Sequence, residues 1–200
     1  MPGEIEQVLE FWFGKCGADG AIDPSRRKMW FREGRKHDAE IRRRFGALHE
    51  RACRGELDDW AATARGRLAL ILVLDQFSRH LYRGNARACA QDAPAQRLAL
   101  GGLEQGADRE LAPAERAFFY LPLEHAEDRE LQERSVRCFA SLADGVPAAS
   151  RKDYKSFLDY ARRHREIIER FGRFPHRNVA LGRASTPEER EFLERRGSSF

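Results

Sequence analysis

Apolar positions recur every three or four residues from one end of this chain to the other, and nowhere do they alternate for the length of a strand. That pattern predicts an all-α protein of about eight to ten helices folded as antiparallel hairpins. Residues 4–13 place Ile5, Val8, Leu9 and Trp12 on one stripe with Phe11 and Phe13 on its flanks, and Gly14, Gly17 and Gly20 then open a loop. Asp23-Pro24-Ser25 starts a short helix that holds Met29, Trp30 and Phe31. Residues 36–54 turn Ile41, Phe45, Leu48 and Ala52 inward and arginines outward, with Gly55 as the stop. The next helix, 64–82, is apolar all round from Leu68 to Leu74, which predicts a central position.

Residues 86–105 read as an alanine-rich helix, interrupted or re-entered at Pro94 and stopped at Gly101-Gly102 or at Gly106. Pro113 opens a helix around Phe118, Phe119 and Leu121, and Pro122 predicts a turn near Leu121. Residues 127–143 align Leu131, Ser135, Cys138, Phe139 and Leu142 on one face; residues 151–171 align Tyr154, Phe157, Leu158, Ala161, Ile168 and Phe171. Thr186-Pro187-Glu188-Glu189 is a helix start with a threonine cap and a capping-box glutamate.

Length and composition narrow the class. The chain has 200 residues, enough for one helical domain over 1–196 with 197–200 as a tail. Charged residues make up 34% and the net charge is +4, with acids interleaved among the bases. No basic arm and no nucleic-acid motif stands out, which points away from nucleic acid. The run Leu68–Leu74 is far short of the ~20 residues that span a bilayer, and the N-terminus lacks the basic start of a signal peptide. Cys16, Cys53, Cys89 and Cys138 lie far apart with no zinc spacing, so reduced thiols in a cytoplasmic protein are expected.

Candidate chemistry gathers at the ends of helices. Asp75 follows Leu74 directly, a step from core to charge, and projects from the buried face; such a carboxylate requires a partner from elsewhere. Gln76 and Arg79 follow it. Glu124 and His125 sit among acids after a proline, a setting that fixes an imidazole's tautomer. His164 falls on the inner face of its helix. Arg173, His176, Arg177 and Asn178 crowd into a loop stiffened by Pro175, and Arg183 precedes a helix N-terminus; together they suit a carboxylate or phosphate. Asp75, Glu124, His125, His164 and His176 are the acid–base candidates. Gln76, Arg79, Arg173, Arg177, Asn178 and Arg183 are the ligand-binding ones. A mixed site of His125, His164 and His176 with Asp75 or Glu124 is the only metal arrangement worth weighing; without HExxH or HxxxH no metal is assigned, and no cofactor is named.

Several of these strings occur in a fixed order: Leu74-Asp75-Gln76-Phe77, Tyr82-Arg83-Gly84, Pro122-Leu123-Glu124-His125, Phe171 to Asn178, then Leu181-Gly182-Arg183. In that order they resemble the bacterial domain of unknown function 924 family, DUF924, over almost the whole chain. The resemblance implies a helical domain related to tetratricopeptide-like folds and implies no activity. Ser78, His80 and Ala126 depart from the proline, asparagine and serine usual there. Two functions stay open: a small-molecule site, catalytic or not, for an anionic ligand, or a non-enzymatic scaffold that binds a peptide or protein.

Overall fold

Residues 3–14, 17, 19–195 and 197–198 are described by the computed structural model. Among them there are helices and turns and no strand. The α-helices are α1 (Glu4–Phe13), α2 (Pro24–Phe31), α3 (Asp38–Cys53), α4 (Ala64–Ile71), α5 (Ser78–Leu81), α6 (Asp92–Gln105), α7 (Pro113–Glu124), α8 (Arg129–Gly145), α9 (Arg151–Phe171) and α10 (Pro187–Leu193). A π-helical stretch, Leu72–Phe77, joins α4 to α5 without a break, and short 3₁₀ turns fill several connections.

The α4–π–α5 rod is the axis of the molecule. Every residue from Leu68 to Leu74 is buried, against α1, α3, α6 and α7. Phe11 and Phe13, expected on the flanks of α1, are buried too: Phe11 packs 5.1 Å from Phe45, and Phe13 lies 5.4 Å from Phe118. The apolar stripe of α1 is therefore wider than its spacing implied, because the neighbouring aromatic rings enclose both flanks. Along α3, the inward residues Ile41, Phe45, Leu48 and Ala52 are all buried.

Around α6 the helix is re-entered near Pro94 and stopped at Gly106. Pro94 lies in the first turn of α6, where a missing N–H costs nothing, and the preceding Ala86–Cys89 is a separate 3₁₀ turn. Helix α6 runs through Gly101-Gly102 and ends at Gly106. Gly102 is there for contact: a Cβ at this position would stand 2.4 Å from Phe119 Cζ and 2.6 Å from Arg67 Cδ. Phe119 is fully buried and has nowhere to go. Gly102→Ala should lower stability by about 1–3 kcal/mol through overpacking, which urea unfolding would measure; a midpoint unchanged from wild type would show that α6 shifts freely on α7.

The turn expected at Pro122 falls elsewhere. Helix α7 continues through it to Glu124, and the His125 N–H still bonds Leu121 O at 2.9 Å. Pro122 forfeits one bond, to the Phe118 carbonyl, in the last turn, and buried neighbours hold the helix in register. The turn falls three residues later than expected. That delay matters, since it seats Glu124 and His125 at the tip of α7.

Helix α8 buries Ser135, Phe139 and Leu142, with Leu131 and Cys138 half-buried. It packs between α7 and α9, and the Phe139 and Phe157 rings stack at 6.0 Å. The inner face of α9 is buried as its spacing predicts, His164 included, while Phe171 is half-buried in a small separate cluster with Ile167, Ile168, Phe174 and Phe192. Thr186 and Glu189 form the expected capping box of α10. In the tail, the Ser198 hydroxyl donates to Leu193 O at 3.0 Å; Ser199 and Phe200 lie outside the described residues, as does Cys16. Cys53, Cys89 and Cys138 are free thiols. No helix among the described residues is long and apolar enough to cross a membrane.

Candidate functional site

The rod delivers Asp75 into the interior from its π-helical stretch, a local widening that recurs at functional sites. Asp75 is fully buried. Its Oδ1 accepts from His125 Nδ1 at 2.8 Å and lies 3.1 Å from Arg79 Nη1; its Oδ2 accepts from Gln76 Nε2 at 2.6 Å. The partner that the core-to-charge step called for is thus His125, fifty residues away and brought in by α7. Arg79 also donates to the Asp75 carbonyl at 2.8 Å. Its Nη2 sits 3.0 Å from Asp92 Oδ1, yet too poorly aligned for a hydrogen bond. Asp92 Oδ2 in turn accepts from Arg177 Nη1 at 3.1 Å. Acid and guanidinium therefore alternate along one line: Asp75, Arg79, Asp92, Arg177. The Arg177 guanidinium lies 4.5 Å over the Phe174 ring.

The protonation states follow from burial and charge. Burial pushes Asp75 upward, but Arg79 and His125, with the Gln76 hydrogen bond, outweigh it and hold the carboxyl below its ordinary range. Burial and Arg79 lower His125 against the pull of Asp75. A neutral His125 beside an ionised Asp75 must carry its proton on Nδ1, which leaves Nε2 with a free lone pair. Nε2 has no hydrogen-bond partner among the described residues, and the side chain keeps 14% exposure.

Glu124, one residue before, behaves in the opposite way. It is 4% exposed, and burial, followed by the Asp75 charge, pushes it up to about 8. Its Oε1 lies 3.3 Å from His164 Nδ1, which donates to Tyr160 O at 2.9 Å. Burial chiefly lowers His164 to about 3; burial and then Arg177 lower His176 to about 4. The rings of His125 and His164 are 6.3 Å apart, and the Phe174 ring lies 5.4 Å from His164 and 5.7 Å from His176. Asp75, Gln76, Arg79, Glu124, His125, His164, His176 and Arg177 thus converge. Among the described residues no three His, Cys, Asp or Glu side chains are placed to hold a metal.

Arg173, Asn178 and Arg183 belong to an adjoining network. Gly172, at φ +69°, ends α9 in the left-handed region and turns the chain sharply. Arg173 then forks onto Glu189 at 2.6 and 2.8 Å, and Asn178 reaches the same carboxylate at 3.2 Å. Arg183 forks onto Glu127 at 2.6 and 2.9 Å and donates to Asn178 Oδ1 at 3.0 Å. Glu127 also accepts the Phe174 N–H at 2.8 Å. These bidentate pairs spend the donors of Arg173 and Arg183 on the protein's own acids. They fasten the 174–183 loop to α10 and to the turn after α7, and so hold Arg177 and His176 in place.

Sequence reasoning missed Asp92 and gave Glu189 only a helix-end role. An acid opening an otherwise alanine-rich helix was the one available sign of Asp92. Of the departures noted above, Ser78 Oγ donates to Leu74 O at 2.5 Å and lies 2.8 Å from His49 Nε2, and His80 Nδ1 lies 2.7 Å from Asp38 Oδ1. Both tie the rod to α3, away from the cluster. Ala126 is buried, and its carbonyl accepts from Gln132 Nε2 at 2.8 Å.

Comparison with known proteins places this arrangement. A solved structure of a protein of unknown function from Agrobacterium tumefaciens is similar at TM-score 0.79 and 37% identity, covering 95% of this chain and 96% of that one. No curated protein matches the chain. The sequence profile described as bacterial protein of unknown function (DUF924) matches residues 8–197, so the chain belongs to the DUF924 family.

Proposed function

We propose that the cluster at the tips of α5 and α7 is a binding site for a small anionic molecule, with His125 as a general base. The carrying observation is the orientation of His125: a fully buried carboxylate grips Nδ1 while Nε2 has no partner among the described residues and the ring keeps some exposure. In that setting Nε2 accepts a proton from a hydroxyl group or a water, and the imidazolium so formed is stabilised by ionised Asp75. Arg79 and Arg177 are the cations for the anionic group. Arg79 Nη2 meets Asp92 at 3.0 Å without hydrogen-bond alignment, in support of that role. Glu124, protonated at neutral pH, is a proton reserve next to His164; His176 stands beside Arg177.

The alternative is a scaffold, on a tetratricopeptide-like pattern, for a peptide or protein. It is favoured by the exact matching of two acids to two arginines along the cluster, which suits an internal packing network as well. Thermal shift with inorganic phosphate and small carboxylates separates the two. At a hundredfold excess over the dissociation constant, a ligand adds ~2.7 kcal/mol, or roughly 5–10 °C for a chain of this size. That shift should be clearly smaller in Arg177→Ala than in wild type and unchanged in Lys152→Ala, a distant exposed control. Variants Arg177→Ala and His125→Gln that fold normally and bind as wild type does would reject the site. No shift in wild type, with a large loss of stability in both variants, would support the scaffold.

A further inference from the structure

We infer that a second anion site, separate from the His125 cluster, lies between α7, α8 and the 3₁₀ turn Ala107–Glu110, and that it takes a compact polyanion of the diphosphate class. The place is a cleft of about 310 Å³. Four arginines stand around it: Arg109 from the turn, Arg116 from α7, and Arg134 and Arg137 from α8. Its floor is built and polar. The buried Tyr120 hydroxyl donates to Asp108 at 2.6 Å and accepts from Arg116 Nε at 3.1 Å, and Arg116 Nη2 lies 3.6 Å from the same carboxylate.

What sets this cleft apart is that several arginines without an acid partner among the described residues stand around one concavity. Many arginines in this protein pair with an acid, and others scattered over the surface, Arg32, Arg35, Arg43 and Arg97 among them, form no ion pair among the described residues. Here Asp108 is matched by Arg116 alone. Arg109, Arg134 and Arg137 have no ion pair and no hydrogen bond among the described residues. Arg134 and Arg137 are also three residues apart on one helix, where like charges oppose each other. Three guanidinium groups around one concavity can converge on a single anion, and planar guanidinium forks match phosphate oxygens in pairs. The volume accommodates a diphosphate and leaves room for a small organic group on it. The half-buried Cys138 thiol lies within the same field of Arg134, Arg137 and Arg116, and burial pushes it up to about 11, so it stays protonated and presents no charge against the ligand.

The site is distinct from the proposed base. His125 lies roughly 13 Å further along the axis of α7 than Arg116, and the two clusters have no residue in common. The test is isothermal titration of the wild-type protein with pyrophosphate, with orthophosphate and sulfate as weaker anions of the same kind. Pyrophosphate should bind most tightly. Each arginine removed should weaken it roughly tenfold, the worth of a charged hydrogen bond, so Arg134→Ala/Arg137→Ala should bind about a hundredfold more weakly. Both side chains are at the surface or half-buried, and circular dichroism would confirm that the variant is folded. Arg177→Ala should bind pyrophosphate at this cleft as wild type does. Absence of pyrophosphate binding to folded wild type, or equal binding by the double variant, would overturn the inference. Loss in Arg177→Ala with retention in Arg134→Ala/Arg137→Ala would overturn it as well and would assign the anion to the His125 cluster.

Discussion

Replacement of Asp75 by alanine is expected to cost about 3–5 kcal/mol of stability, the range for breaking one partner out of a buried ion pair. The reason is what it leaves behind. His125 Nδ1 and Gln76 Nε2 would lose their acceptor, and Arg79, buried over most of its side chain, would keep the misaligned Asp92 as its one remaining acid. Asp75→Asn keeps the volume and can still accept from His125, but it cannot answer the Arg79 charge, so it should fall between alanine and wild type. Urea unfolding of the three proteins at pH 7 gives the order directly. The expected drop in midpoint temperature for alanine is roughly 6–20 °C. A loss below ~1 kcal/mol, the worth of an exposed pair, would mean that water reaches the carboxylate and that His125 is not held by it.

The second large effect is on the pH dependence of stability. Glu124 titrates at about 8 in the folded protein against an ordinary 4.5. Between those values the folded state holds a proton that the unfolded chain has released, so stability falls as pH rises through this window and levels off above 8. From pH 6.5 to 8 the loss is about 2 kcal/mol for this one proton. The histidines act in the other direction. His164 and His176 are held at about 3 and about 4 against an ordinary 6.5. Below 6.5 the unfolded chain takes up protons that the folded protein refuses, so stability falls as pH drops. Burial lowers His49, His80 and His125 as well. Below 4.5 Glu124 no longer differs between the two states, and between 4.5 and 6.5 the histidines outnumber it. Stability should therefore peak near pH 6.5. Glu124→Gln, which mimics the protonated acid, should keep the acid limb and remove the decline toward pH 8. Equal slopes above pH 6.5 in the two proteins would show that Glu124 is ionised in the fold.

These two residues are neighbours in space with opposite assignments, and that contrast frames the proposed chemistry. Asp75 is buried among donors and stays charged; Glu124 is buried without a cation and stays neutral. An ionised orienting carboxylate, a neutral imidazole with an open nitrogen and a protonated acid together form a set that can move a proton. The 174–183 loop holds the cationic side of this set only because Arg173 and Arg183 are spent on Glu189 and Glu127.

The sequence by itself determined the helices, because 3.6-residue periodicity, glycine stops and caps act within a few residues of one another. It put Ile41, Phe45, Leu48 and Ala52 inside, placed His164 on the buried face of α9 and formed the Thr186–Glu189 capping box. It also marked Asp75 as a buried charge, since seven apolar residues lead into it. Tertiary structure alone decided who answers each charge. The Arg177–Asp92 pair spans 85 residues and Arg183–Glu127 spans 56. In a chain that is 34% charged, every arginine has many acids within reach of the unfolded chain, and nothing local ranks them. Only the packing of α6 and α7 against the rod brings Asp92 between two arginines and carries α7 past Pro122 to set His125 on Asp75. Local sequence encodes which faces are buried; the ion pairs at the helix tips form because those faces, once packed, bring particular charges within reach of one another.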